Sequence, residues 1–236
     1  KVLVFQHIAC EHPGIFRQFF SESGIDWQAV ELDAGDAIPD FDGFDALWVM
    51  GGPMDVWDTD ACPWLVAEQE AIRTWVQDLK KPYLGLCLGH QLLADALDGK
   101  CEVQDTPEIG ILDVHLTDAA HNDPLMQGLT PQMKCLQWHS VAVTQPPTGA
   151  ELLASSPDCT WQAMRVGKHA WGIQFHVELQ DQTISEWNEV PAYAAALDKV
   201  KGPGALKVME DEALQYMPQF KDNARLLFDN FCQSMG

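Results

Sequence analysis

Three side chains that could together perform nucleophilic acyl transfer occur in two well-separated stretches of the sequence. Cys87 lies within the pattern Gly-Leu-Cys-Leu-Gly, and His176 is followed two positions later by Glu178. A cysteine sulfur can attack a carbonyl carbon, a histidine can take up and return the proton, and a carboxylate can orient the histidine. These residue types predict a cysteine-dependent reaction at a carbonyl group, provided that the fold brings the two stretches together.

Cys87 falls at the junction of a predicted strand and a predicted helix. Residues 82–86 form an apolar run typical of a buried strand, and residues 91–97 repeat apolar side chains at helical spacing. Glycines two positions before and after the cysteine let the backbone turn sharply, as in a nucleophile elbow. Free N–H groups at the helix start would favour negative charge, and the Leu88 amide would point towards an oxyanion. The alternative role for Cys87 is that of a small buried hydrophobe.

His176 and Glu178 end a second predicted strand, which covers residues 169–175. Residues i and i+2 of a strand point to the same face, so Glu178 would lie beside His176 and fix its tautomer. Taken alone, His-x-Glu is also compatible with an ordinary exposed strand end. Together with the elbow around Cys87, it favours a catalytic triad.

A glycine-rich turn, Gly51-Gly52-Pro53, follows the predicted third strand at residues 46–50. This turn would lie at the carboxyl edge of the sheet, where open α/β folds place their sites. The alternative to a role in the site is that these three residues form a plain connecting turn. Residues 54–64, which contain three aspartates and two tryptophans, are expected to form an acidic rim over the site.

With these stretches in view, the sequence resembles the class I (triad-type) glutamine amidotransferases nearly from end to end, including the glutaminase domain of GMP synthase and γ-glutamyl peptidases. The elbow, the His-Val-Glu arm and the Gly-Gly-Pro turn occur in the order found in that family. Two positions depart from the pattern: Val177 stands where many members have proline, and Asp55 stands where several have serine. The resemblance implies a catalytic triad of Cys87, His176 and Glu178. It also implies an oxyanion hole formed by the backbone amides of Gly52 and Leu88. The substrate contacts that it implies are Gln91, His139 and Ser140.

Strand and helix patterns alternate up to Gly99, which predicts right-handed crossovers and a parallel sheet. Short strand patterns separated by turn signals follow, and they predict antiparallel additions. The resemblance implies a three-layer α/β, flavodoxin-like fold: a central, mostly parallel sheet flanked by helices, with an added antiparallel sheet. We expect one domain over residues 1–236, with C-terminal helices that cover the sheet. The predicted strands are 2–7, 27–32, 46–50, 82–86, 100–104, 108–117, 133–138, 141–143, 151–154, 160–166 and 169–175; the predicted helices are 15–20, 68–79, 91–97, 193–200 and 209–231.

Composition excludes some classes of partner. A net charge of −21 leaves no basic footprint for nucleic acid and disfavours an anionic membrane surface. The seven cysteines are dispersed, odd in number and without a C-x-x-C pair, which is typical of reduced thiols in a cytoplasm. No signal peptide and no apolar run long enough to span a bilayer is present. His7, Cys10 and His12 lack a fourth ligand nearby, so neither a metal nor another cofactor is expected.

The sequence therefore predicts an enzyme that hydrolyses a γ-glutamyl amide and releases glutamate with ammonia or a larger amine. Two alternatives remain open: a γ-glutamyl peptidase or hydrolase acting on a larger conjugate, and a non-catalytic regulatory protein built on the same fold. No P-loop is present to serve a synthetase reaction. A separate synthetase subunit could receive the ammonia, but the acidic surface favours a hydrolase that works alone on a small-molecule substrate.

Overall fold

The computed structural model describes residues 1–235, in which a large sheet is flanked by helices. The helices are α1 (Phe16–Glu22), α2 (Trp64–Arg73), α3 (Leu88–Ala96), α4 (Thr183–Asn188), α5 (Pro191–Lys201) and α6 (Ala205–Ser234), with a π-helical turn (Thr74–Leu79) after α2 and a 3₁₀ turn (Ala119–Asn122). The strands are β1 (Val2–Gln6), β2 (Trp27–Glu31), β3 (Ala46–Val49), β4 (Tyr83–Leu86), β5 (Lys100–Leu116), β6 (Gln132–Gln145), β7 (Ala150–Ser155), β8 (Ala163–Val166) and β9 (Ala170–Ile173).

The strands form one sheet in the order β2-β1-β3-β4-β9-β8-β7-β5-β6. The first five pair in parallel, and from β9 onward each neighbouring pair is antiparallel. The parallel half has the strand order of flavodoxin-like folds, which confirms the predicted class. The predicted antiparallel addition is continuous with this half, because β8 hydrogen-bonds directly to β9.

Alternate residues of β1 face opposite layers, as the pleat of a strand requires. Val2 and Val4 pack in the cluster that contains α1 and α6, whereas Leu3 and Phe5 pack in the cluster that contains α2 and α3. Aromatic edge contacts join α6 to the first of these clusters, for example between Trp48 and Phe231 at 5.4 Å. Every helix within residues 1–235 is too short or too polar to cross a lipid bilayer.

Several predicted boundaries differ from the observed ones. The patterns at 100–104 and 108–117 belong to one strand, β5, whose pairing with β6 changes register between Val103 and Glu108. This irregularity interrupts the alternation of apolar residues, so the sequence suggested two strands. The patterns at 133–138 and 141–143 likewise form the single strand β6, and α4 was not predicted. Helix α6 begins at Ala205, directly after the predicted break at residues 202–204.

Candidate active site

Cys87 lies on a sharp turn between β4 and α3, with φ 49° and ψ −102°. A positive φ is costly for a residue with a side chain, so the surrounding contacts must hold it in place. One of them is the hydrogen bond from the Cys87 amide to the Ile173 carbonyl, at 2.8 Å. A Cβ on Gly85 would lie 2.3 Å from the carbonyl oxygen of Gly89, and a Cβ on Gly89 would lie 2.1 Å from that of Val49. Both glycines are therefore needed for the close backbone approach that the elbow pattern predicted.

His176 and Glu178 lie just beyond the end of β9 and form a buried pair. His176 Nδ1 is 2.7 Å from Glu178 Oε1, and the other carboxylate oxygen accepts a hydrogen bond from the Val177 amide at 2.8 Å. The His176 amide donates to the Leu136 carbonyl at 2.9 Å, which ties this arm to β6. The carboxylate therefore orients the histidine, although both residues lie beyond β9 and not on the strand from which their common face was predicted.

His176 and Glu178 each stabilise the charged form of the other, and Cys87 contributes to the shift in the pKa of His176. Burial alone would lower the pKa of His176, but the facing Glu178 carboxylate and the nearby Cys87 sulfur raise this pKa well above its ordinary value. Burial would raise the pKa of Glu178, and the facing imidazolium lowers it instead. Trp187 of α4 covers the imidazole edge-on, with ring centroids 4.4 Å apart. The structure thus brings Cys87, His176 and Glu178 together in the arrangement that the sequence predicted for a nucleophile, a base and an orienting carboxylate.

Two backbone amides beside Cys87 have no acceptor within residues 1–235. They belong to Leu88, at the first position of α3, and to Gly52. The two residues are neighbours, since a Cβ on Gly52 would lie 3.0 Å from a methyl group of Leu88. Unpaired N–H groups next to a nucleophile can receive the negative charge of a tetrahedral intermediate.

The three predicted substrate contacts line one cleft with Cys87 and Gly52, and the cleft has a volume of about 100 Å³. Met54 and Asp55 of the predicted acidic rim also line this cleft. The side-chain amide of Gln91 donates to the Val141 carbonyl at 3.0 Å and to the amide oxygen of Gln174 at 3.1 Å, so its nitrogen is engaged within the protein. The cleft-lining residues predicted from the sequence are Gln91, His139 and Ser140.

A buried network fixes His139 at the wall of the cleft. Its Nδ1 donates to the Val141 carbonyl at 3.0 Å, and its Nε2 lies 3.2 Å from Glu108 Oε2. Ser156 and Gln162 donate to the two oxygens of Glu108, at 2.6 and 2.7 Å. The sequence pointed to His139 only through the family resemblance, and it gave no sign that Glu108 lies behind it.

Helix α5 contributes to the site, although the C-terminal helices were expected only to cover the sheet. Ala192, Tyr193 and Ala196 line the cleft. The Tyr193 hydroxyl donates to the buried carboxylate of Glu11, with the two oxygens 2.5 Å apart. Neither Glu11 nor Tyr193 belongs to a recognisable sequence pattern, so neither was predicted to be part of the site.

Two groups of buried side chains have donor atoms within 4.8 Å of one another, a spacing that could hold a metal ion. Nδ1 of His176 in one group pairs with Glu178 of the same group, and in the other group both oxygens of Glu108 accept hydrogen bonds from Ser156 and Gln162. The predicted incidental cluster of His7, Cys10 and His12 is not among such groups within residues 1–235. The groups are Glu11, His176 and Glu178, and Glu108, His139 and Cys159.

Glu11 provides a prediction about the pH dependence of stability. Burial raises its pKa from 4.5 to about 7. The folded protein therefore holds this proton more tightly than the unfolded chain does, so the contribution of Glu11 to stability falls as the pH rises between these two values. We expect wild-type protein to lose melting temperature relative to Glu11→Gln from about pH 4.5 to about pH 7. Thermal unfolding of both proteins across this range measures the difference, and a difference independent of pH would contradict the assignment.

Cys87 is expected to be the fastest thiol to react near neutral pH. Burial raises the pKa of each of the other six thiols, for example to about 11 for Cys10 and Cys232 and to about 12 for Cys101. A thiol with a raised pKa contains little of the reactive thiolate. Limited alkylation with iodoacetamide followed by peptide mapping should find Cys87 modified first. Earlier modification of Cys62 or Cys232 would count against the elbow assignment.

Comparisons with known proteins show which family the chain belongs to. The family model for glutamine amidotransferase class-I matches residues 15–186. The glutamine-hydrolysing GMP synthase subunit of Sulfolobus acidocaldarius is 32% identical over 154 residues, which are 65% of this chain and 77% of that protein. A glutamine amidotransferase-like protein of Salmonella typhimurium is 31% identical over 186 residues, which are 75% of each chain.

Solved structures extend the similarity beyond the matched region. A glutamine amidotransferase from Thermotoga maritima has a TM-score of 0.87 and 25% identity, covering 99% of this chain and 98% of its own. One from Methylobacillus flagellatus has the same TM-score and identity, covering 100% of this chain and 95% of its own. The chain belongs to the class I glutamine amidotransferase family, whose members are cysteine-dependent amide hydrolases.

Proposed function

We propose that this protein hydrolyses the side-chain amide of glutamine through a thioester on Cys87 and releases glutamate and ammonia. The observation that carries this proposal is the arrangement of His176, which pairs with Glu178 on one side and meets Cys87 on the other. The unpaired amides of Gly52 and Leu88 beside the sulfur supply the second requirement of acyl transfer.

The reaction has two halves that use the same groups. In the first, Cys87 gives its thiol proton to His176 and its sulfur attacks the amide carbon, the carbonyl oxygen becomes negatively charged, and the amides of Gly52 and Leu88 hold it. His176 then gives its proton to the nitrogen, the C–N bond breaks and ammonia leaves a thioester behind. In the second half, His176 takes a proton from water as the water attacks, the C–S bond breaks and glutamate leaves. Glu178 stays ionised and keeps the imidazole oriented throughout.

The dimensions of the cleft support a small substrate. Its volume of about 100 Å³ is well below the roughly 300–1,000 Å³ of pockets that enclose drug-sized molecules. We therefore favour glutamine over a larger γ-glutamyl conjugate, with Gln91, His139 and Ser140 contacting its amino acid end. A purely regulatory protein would need neither the strained Cys87 backbone nor the paired histidine, so we place that alternative last.

We also propose that residues 1–236 act as one catalytic domain in the cytoplasm. One continuous sheet carries the site, and all seven cysteines are free thiols. The Sulfolobus relative and its Saccharolobus solfataricus counterpart are each named as one subunit of GMP synthase, which favours a synthetase partner. One observation argues against a synthetase partner: helix α5 lines the cleft and lies outside the matched family region. We therefore retain the prediction that the protein works alone.

The direct test is a steady-state assay of the purified chain without any partner. We expect glutamine to yield equal amounts of glutamate and ammonia at an ordinary enzymatic rate, about 1 s⁻¹ or more. A panel of γ-glutamyl peptides and amides, assayed in parallel, measures whether a larger leaving group is preferred. Negligible turnover on every substrate, with activity restored by one larger ATP-using protein, would show that the protein serves a synthetase.

A further inference from the structure

Another buried carboxylate–imidazole pair lies against the Gly51–Gly52 turn, and the mechanism above does not use it. His7 follows β1, and its Nε2 is 2.9 Å from Glu68 Oε1 of α2. Its other ring nitrogen, Nδ1, is 2.7 Å from the Gly51 carbonyl oxygen. Both side chains are fully buried. A buried ion pair commonly adds little stability over apolar residues of similar size, which raises the question of what else this pair does.

The hydrogen-bond partners determine how the His7 ring is protonated. A carbonyl oxygen only accepts, so Nδ1 must carry the hydrogen that binds Gly51. Burial alone would lower the pKa of His7, but Glu68 and the Gly51 carbonyl raise it above its ordinary value, which favours a ring that donates at both nitrogens. Trp64 stacks on the ring, with centroids 5.5 Å apart and planes 20° apart, and so restricts its rotation.

The contact with Gly51 also fixes the direction of the Gly52 amide. A peptide group is planar and trans, so its C=O and N–H bonds point in opposite directions. No cis peptide occurs within residues 1–235. Since His7 holds the Gly51 carbonyl, the Gly52 N–H must point away from His7, and Gly52 lines the cleft with Cys87. A peptide between two glycines would otherwise rotate with little steric resistance.

We propose that His7 and Glu68 are positioning residues that hold the Gly51–Gly52 peptide with the Gly52 N–H directed at the reacting carbonyl. In this arrangement the second donor of the oxyanion hole is already in place before substrate binds. Glu68 acts through His7, and His7 acts through the peptide, so neither side chain touches the substrate. This inference rests on the proposed hydrolysis of a γ-glutamyl amide.

A matched pair of double variants isolates the hydrogen bond to Gly51. His7→Leu with Glu68→Gln removes the donor, whereas His7→Asn with Glu68→Gln retains one, because an asparagine amide can occupy the position of Nδ1. Leucine and asparagine have similar shapes, and both variants remove the charge of Glu68, which avoids an unpaired buried carboxylate. The two proteins therefore differ in whether the Gly51 carbonyl has a partner.

We expect the leucine variant to lose about 10²–10³-fold in kcat, the cost of one oxyanion-hole donor. KM should change by no more than about threefold, because the donor acts mainly in the transition state. The asparagine variant should stay within about tenfold of the wild-type kcat. Alkylation of Cys87 by iodoacetamide displaces iodide without forming an oxyanion, so its rate should be the same in all three proteins.

Two results would overturn the inference while the wild type remains active. One is a leucine variant with wild-type kcat. The other is a leucine variant in which turnover and alkylation fall together and asparagine restores neither, which would indicate general disruption of the site. A wild type without turnover on any γ-glutamyl compound would overturn the proposed function itself, and this inference with it.

Discussion

Replacing Cys87 with alanine is expected to abolish hydrolysis while leaving the fold and substrate binding intact. The variant lacks the atom that forms the thioester, and no other thiol reaches the cleft, since Cys87 is the one cysteine among its lining residues within residues 1–235. Removing the nucleophile of a triad lowers kcat by a factor on the order of 10⁴ or more. Steady-state release of glutamate measures the loss, and calorimetric titration with glutamine measures the retained binding.

The matched control is Cys232→Ala on α6, which removes a half-buried thiol that belongs to no part of the site. This variant should retain wild-type turnover. Hydrolysis by Cys87→Ala at a rate close to wild type would show that the elbow cysteine is not the nucleophile, whatever the geometry around it.

Replacing Glu178 with glutamine is expected to lower turnover by about 10²–10⁴-fold, although the protein should fold normally. Glutamine preserves the size of the side chain but can donate to Nδ1 of His176, and this favours the wrong tautomer. It also removes the negative charge that raises the pKa of His176. The pH profile of kcat should therefore shift as well as fall, because the imidazolium is less stable without the carboxylate.

The control for this variant is Glu186→Gln on the nearby helix α4, which changes the same charge without touching His176. A Glu178→Gln enzyme with near wild-type turnover and an unchanged pH profile would assign Glu178 a purely structural role. Thermal unfolding of both variants establishes whether any loss of activity reflects loss of fold.

The parts of the fold that the sequence predicted are those with strong local signals. The elbow was recognisable because a Cβ atom on Gly85 or Gly89 would lie less than 2.5 Å from a backbone oxygen. Only glycine fits at these two positions, so their spacing around the cysteine indicates the turn. The parallel half followed from the alternation of apolar strands and helices. Strand β5 was divided in two because its register shift after Val103 breaks the periodicity on which such predictions depend.

The residues that the sequence did not reveal act through long-range contacts. Glu11 and Tyr193 are 182 positions apart, and only the packing of α5 against the first loop brings their oxygens together. Glu68 looks like an ordinary polar residue of an amphipathic helix, yet it is fully buried against His7. A single sequence contains no pattern that distinguishes a buried carboxylate of this kind from a solvated one, because its partner is distant in the chain.

The measurement that tests the central claim most directly is identification of the acyl-enzyme. The protein is mixed with excess glutamine, quenched in acid within a turnover, digested and mapped by mass spectrometry. The proposed mechanism predicts a γ-glutamyl group on the peptide that contains Cys87 in the wild type, and none on that peptide in Cys87→Ala. A γ-glutamyl group on a different residue, or full turnover without any adduct at Cys87, would contradict it.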